Sequence, residues 1–104
     1  MSNERGVFLS VEGVEGVGKT TAIGMLEALL ADRGIVTLRT REPGGTPLAE
    51  AIRGLVLGAG AEESVTDTAE LLLMFAARAQ SVAHVIRPAL ARGRWVLCDR
   101  CTAA

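Results

Sequence analysis

The chain carries almost no net charge: 11 Lys and Arg against 12 Asp and Glu leave −1 over 104 residues. That balance removes any global electrostatic pull toward nucleic acid or an anionic membrane, so phosphate chemistry has to come from local arrangement. No uninterrupted apolar run approaches the ~20 residues of a membrane span. The opening MSNERGVFLS has no basic segment followed by a long apolar stretch, so no secretory signal is visible. Two cysteines are too few for a disulfide scaffold. Cys98 and Cys101 stand at C-x-x-C spacing, but no second pair completes a zinc site, and the one histidine, His84, falls mid-helix. Cys98 is therefore expected to pack as a small buried hydrophobe. Internal repeats and low-complexity linkers are also missing. What remains is a cytoplasmic globular chain, 49% apolar, with enough material for one domain or part of one.

Residues 7–13, VFLSVEG, form an apolar run closed by glycine, which suits a strand covered on both faces. Beyond Gly18 the period becomes helical, with Ile23, Leu26 and Leu30 on one face, Leu29 beside them, and Gly34 as the stop. Residues 35–40, IVTLRT, are β-branched and predict a second strand. REPGGTP cannot be regular structure. A helix follows it with Leu48, Ile52, Leu55 and Val56 on one face. Asp67 with Glu70 three residues later predicts a capping box, opening a helix that runs through Val85 or beyond until Pro88 ends or kinks it. Gly93 then precedes a third strand, RWVLCD.

Between the first strand and first helix, EGVEGVGKTT contains Gly13-x-x-x-x-Gly18-Lys19-Thr20, the G-x-x-x-x-G-K-[ST] pattern in the context its chemistry requires. Gly13, Gly16 and Gly18 permit backbone angles that let N–H groups turn inward around phosphate oxygens. The helix that opens there aims its positive end at the same place. Gly13, Val14, Glu15, Gly16, Val17, Gly18, Lys19, Thr20 and Thr21 thus form a nucleoside triphosphate site. Lys19 reaches the β- and γ-phosphates, and the Thr20 hydroxyl suits Mg²⁺. Glu15 would be repelled by polyphosphate and is expected to point away, toward a hydroxyl donor. The fold class is α/β: a P-loop NTPase-type parallel sheet with flanking helices and right-handed crossovers. Three strands leave such a sheet incomplete, so residues 1–104 read as part of a single α/β domain.

Arg78 falls within an apolar stripe of Leu71, Met74, Phe75, Val82 and Val85. A guanidinium there needs a carboxylate or a ligand, and Phe75 could offer a base a planar surface. Arg41 follows the second strand and Arg100 the third, at the sheet edge where open α/β folds bind ligands. Arg53 lies at the rim of the same cleft, and arginine forks suit phosphate. WVLCD is a buried strand ending in an acid. Its Asp99 is placed to hold Mg²⁺ or to accept a hydrogen bond from Thr20.

EGVEGVGKTT, TREPGGTPLAEAIR, ELLLMFAARAQ and VIRPALARGRWVLCDR together resemble bacterial thymidylate kinases, in the same order and with similar spacing. The resemblance implies transfer of the γ-phosphoryl of ATP to dTMP with Mg²⁺, giving dTDP, in a protein that pairs as a homodimer and binds neither nucleic acid nor membrane. It implies that Lys19, Asp99 and Arg100 are catalytic, with Thr20 and Asp99 at the metal. It implies that Glu15 contacts the sugar 3′-hydroxyl, that Arg41 and Arg53 serve the acceptor, and that Arg78 hydrogen-bonds the thymine. Either Met74 or Phe75 covers the base. The family's lid and C-terminal part are expected to be absent from these 104 residues, leaving little activity in the isolated piece. The rivals are another P-loop nucleotide kinase, or a truncated, non-catalytic nucleotide-binding product.

Overall fold

Strand β1 (Phe8–Gly13) leads to helix α1 (Val17–Asp32), which stops where Gly34 takes a φ of 75°. Strand β2 (Thr37–Glu42) follows, then α2 (Pro47–Val56), α3 (Asp67–Ser81), a π-helical turn over Val82–Ile86, α4 (Arg87–Ala91) and β3 (Trp95–Cys101). This computed structural model describes residues 5–13, 17–58 and 62–101. The three strands are parallel and lie in the order β1-β3-β2. The predicted parallel α/β sheet with flanking helices is therefore what forms.

Because β3 is central, it and not β1 is covered on both faces. Val96 and Leu97 point to opposite sides and both are 0% exposed. Leu97 packs with Ile23 and Leu30 of α1, joined by Leu9, Val11, Leu26, Ile35 and Trp95. Val96 packs with Ile86 and Ala89, joined by Phe8, Leu38, Val82 and Leu90. β1, outermost of the three strands described, alternates between half-buried and exposed positions.

The second strand begins two residues later than its β-branched run suggests. Ile35 N–H still bonds back to Leu30 O at 3.0 Å, closing the end of α1, and pairing with β3 starts at Thr37. At their far ends β2 and β3 run longer than expected. Arg41 pairs with Asp99 and Glu42 with Arg100, so both arginines lie within strands instead of following them.

The helical faces also differ from the leucine pattern. Leu48 and Leu55 are more than half exposed, and the buried seam between α2 and α3 is Ala49, Ile52 and Ala77, with Val56 and Leu73 against it. Alanine at 49 and 77 lets the two helices approach closely, which turns the larger Leu71 and Phe75 outward. The start of α3 falls at Asp67 as predicted, but its cap is Thr66, whose hydroxyl accepts from Ala69 N–H at 3.1 Å. Asp67 occupies the first turn, where its charge suits the helix dipole.

Pro88 does not end the helix. Lacking an N–H, it disrupts the regular ladder, and the wide turn over Val82–Ile86 absorbs the disruption before α4 continues to Ala91. The continuous helix Asp67–Ala91 is long and apolar enough in composition to cross a membrane. Here Ala77, Ile86 and Ala89 are buried against protein, and Arg78 carries an ion pair near its middle.

Candidate active site

Two parallel strands side by side, β1 and β3, bring the end of the glycine loop next to an acid. Gly13 closes β1 with a φ of 147°, open to glycine but strained for other residues. The Lys19 ammonium, on the first turn of α1, donates to Gly13 O at 3.2 Å and pairs with Asp99 Oδ1 at 2.7 Å. Its side chain is 6% exposed. Lysine thus ties the carboxyl ends of both strands to the start of the helix. Asp99 takes Lys19 as its partner, where the sequence offered Mg²⁺ or Thr20. Gly18, Thr20 and Thr21 are exposed around the helix N-terminus, the electropositive end that favours phosphate. Val14, Glu15 and Gly16, and the side chain of Val17, lie outside the described residues.

Asp99 also lines a cavity of about 500 Å³ at the carboxyl edge of the sheet, together with Leu38, Arg39, Thr40, Arg41, Gly45, Glu50 and Val85. Every arginine singled out from sequence lies around this edge, and each has a partner. Arg41 forks onto Glu50, with Nε 3.1 Å from Oε2 and Nη2 on Oε1. Arg53 Nη1 donates to Pro43 O at 3.1 Å. Arg78 Nε donates to Glu42 Oε1, and Arg100 Nη2 donates to Glu42 Oε2 at 3.2 Å. Arg100 Nη1 additionally stands 3.5 Å from Glu12 Oε2.

Sequence reasoning missed Glu42 and Glu50. The need for a carboxylate opposite Arg78 was visible; its identity was not, because the two residues meet only once β2 and α3 pack. Glu42 is 6% exposed and also receives the Cys98 thiol at 3.9 Å. Cys98 is a buried hydrophobe as expected. Burial, then the charge of Glu42, pushes its thiol up to about 11, which keeps it protonated and a poor nucleophile. The side chain of Cys101 lies outside the described residues. Two buried polar atoms at this edge, Thr40 Oγ1 and Arg100 Nε, have no hydrogen-bond partner among the described residues.

The glycines of REPGG are explained by Glu50. A Cβ on Gly44 would fall 2.2 Å from Glu50 Oε2, and one on Gly45 would fall 2.6 Å from Thr40 Oγ1. With no side chain in the way, Gly45 N–H reaches Glu50 Oε2 at 3.0 Å. Hydrogen bonds from Arg41 and then from Gly45 hold the Glu50 carboxyl at about 2, below its ordinary 4.5. A carboxyl depressed in the folded state adds stability above the unfolded value and loses it as pH falls through the folded one. Urea midpoints of the wild type are therefore expected to decline between about pH 4.5 and about pH 2, and Glu50→Gln should lack that share of the decline. Partial exposure of the pair keeps the effect small.

Of the two base-covering candidates, Met74 is half-buried and Phe75 exposed on α3. The Arg78 guanidinium carbon stands 5.8 Å from the Phe75 ring centroid, a cation–π distance.

This arrangement can bind polyphosphate at the loop and a second anion at the arginine-rich edge, with Asp99 between them. The thymidylate kinase family model matches residues 11–104. A thymidylate kinase from Chromohalobacter salexigens is 61% identical over 95% of the chain and 47% of its own length, and one from Teredinibacter turnerae is 58% identical over 95% and 48%. The crystal structure of thymidylate kinase from Ehrlichia chaffeensis superposes with a TM-score of 0.74 at 37% identity, covering 92% of this chain and 53% of that one. The chain spans about half the length of the relatives it matches. The family model, the curated relatives and the solved structure agree in sequence and fold, and the chain belongs to the thymidylate kinase family.

Proposed function

We propose that the protein transfers the γ-phosphoryl group of ATP to dTMP, giving dTDP and ADP. The observation that carries this reading is the Lys19–Asp99 pair, which sets a phosphate-loop lysine and a strand-end acid beside the cavity where Arg41 and Glu50 lie. Phosphoryl transfer asks mainly for positioning and charge neutralisation. A 5′-phosphate oxygen of dTMP forms the new bond to the γ-phosphorus, and the bond from that phosphorus to the β-bridging oxygen breaks. Lys19 and the N–H groups opening α1 hold the donor phosphates. Arg100, beside Asp99, bridges toward the acceptor phosphate, with Arg41 and Arg53 on the acceptor side. Arg78 takes the thymine, covered by Met74 or Phe75, and Glu15 takes the sugar 3′-hydroxyl.

Thr20 and Asp99 are the residues that would hold Mg²⁺. Both offer hard oxygen donors, and Asp99 opens onto the cavity. One or two side chains suffice for this ion when substrate phosphates supply the other oxygens. When bound, it supplies positive charge to the phosphate oxygens. The reading also places the protein in the cytoplasm as a homodimer. Pairing through helices is supported by the exposed Leu55, Leu71 and Leu72 of α2 and α3.

Thermal-shift titration of the chain tests the acceptor. dTMP should raise the midpoint more than dUMP, AMP or CMP at equal concentration. Preferential stabilisation by a purine monophosphate would favour a different nucleotide kinase.

A further inference from the structure

Arg78 comes from α3 and Arg100 from β3, yet both guanidiniums end on one buried carboxylate. We propose that Glu42 is the positioning residue of the acceptor side, its two oxygens fixing the directions in which Arg78 and Arg100 present their remaining N–H groups to the acceptor. The inference rests on the reading above, in which these two arginines meet dTMP.

Three observations support it. Glu42 is the last residue of β2 and is paired in register with Arg100, so its backbone is pinned to the strand it organises. Each oxygen has its own guanidinium: Oε1 takes Arg78 Nε and Oε2 takes Arg100 Nη2. The two side chains are therefore set independently, by donors in a planar fork that fixes the rest of each group. Finally, the carboxylate is shielded while the guanidiniums are not. The Glu42 side chain is 7% exposed, against 41% for Arg78 and 33% for Arg100. Glu42 is thus one buried negative charge behind two partly open positive ones, while Glu12, 52% exposed, stands 3.5 Å from Arg100 Nη1 on the open side. An anionic acceptor would have to displace the open Glu12 carboxylate from Arg100, whereas Glu42, behind the arginines, aims them.

The test uses the 104-residue chain with Glu42→Gln, which keeps the shape but removes the charge and one acceptor. In ¹⁵N spectra of the ligand-free wild type, the Arg78 Nε–H signal, assigned with Arg78→Lys, is expected apart from the solvent-exposed arginines and slow to exchange. In E42Q it should merge with them and exchange rapidly. dTMP affinity should fall about tenfold or more, the weight of a charge-assisted hydrogen bond, while ATP affinity stays within about twofold. An unchanged Arg78 signal in folded E42Q, or an unchanged dTMP affinity, would overturn the proposal. If E42Q fails to fold by circular dichroism, Glu42→Asp replaces it. Aspartate keeps the charge but is too short to span both arginines, and the same spectral and affinity losses are expected. A wild-type chain that does not bind dTMP would count against the function proposed above, and the Arg78 signal would still decide the role of Glu42.

Discussion

Replacing Lys19 with Met should lower phosphoryl transfer by about 100- to 1,000-fold in the whole protein, the range seen when one preorganised charge stabiliser is removed from a transition state. Methionine keeps much of the aliphatic length, so the loss isolates the ammonium. The geometry of Lys19 is fixed before any ligand arrives. It is held by Gly13 O at 3.2 Å and Asp99 Oδ1 at 2.7 Å, so its charge need not be repositioned at the moment of reaction. The same substitution takes the lysine partner away from Asp99. That carboxylate is 34% exposed and can recover water, so the cost in stability should stay near ~1 kcal/mol. Stopped-flow or coupled assays give the rate and urea unfolding gives the stability. A variant that kept within tenfold of the wild-type rate would show that the loop lysine is not the charge the reaction depends on.

The largest loss of stability is expected from Leu97→Ala. Leu97 is 0% exposed in the middle strand and packs against Ile23 and Leu30. Removing its branched end deletes apolar burial and opens a cavity that flanking β-structure cannot easily close, at a cost of about 2–5 kcal/mol. A domain of this size has only about 5–15 kcal/mol to lose. With a urea slope of about 1–3 kcal/mol/M, the midpoint should fall by at least about 0.7 M with the slope unchanged. Met25→Ala serves as the comparison. Met25 is 68% exposed, and its truncation should move the midpoint far less. Equal shifts for the two variants would contradict the placement of the core.

What could be read from residues alone followed the range of the interactions involved. The step from β1 to α1 was legible because a glycine-closed apolar run followed by helical periodicity depends only on adjacent residues. The parallel sheet was legible from the alternation of strands and helices. The buried side of α2 and α3 was not, because it was decided by two small residues, Ala49 and Ala77, that allow close approach, and not by the leucines that dominate the pattern. Strand ends were hidden for a related reason. Arg41 and Arg100 are polar and look like loop residues, but pairing of Arg41 with Asp99 and of Glu42 with Arg100 keeps them in the sheet. Glu42 and Glu50 escaped notice altogether. Their roles come from partners on other elements, and a glutamate beside an arginine in sequence gives no hint which arginine it will hold.

The position of β3 sets the order in which these three strands can assemble. It is the last of them along the chain and lies between the other two: Phe8 pairs with Val96, and Leu38 pairs with Val96 from the opposite side. Until Trp95–Cys101 leaves the ribosome, β1 and β2 each lack the neighbour they have in this sheet. Helices α1 to α4 can form locally during that interval, but joining β1 to β3 must wait for a closure spanning most of these residues, and such closures are slow. The nascent segment is thus exposed to strand mispairing while it waits. The strand that supplies Asp99 and Arg100 also joins β1 to β2, so closing this sheet and assembling the site are one step.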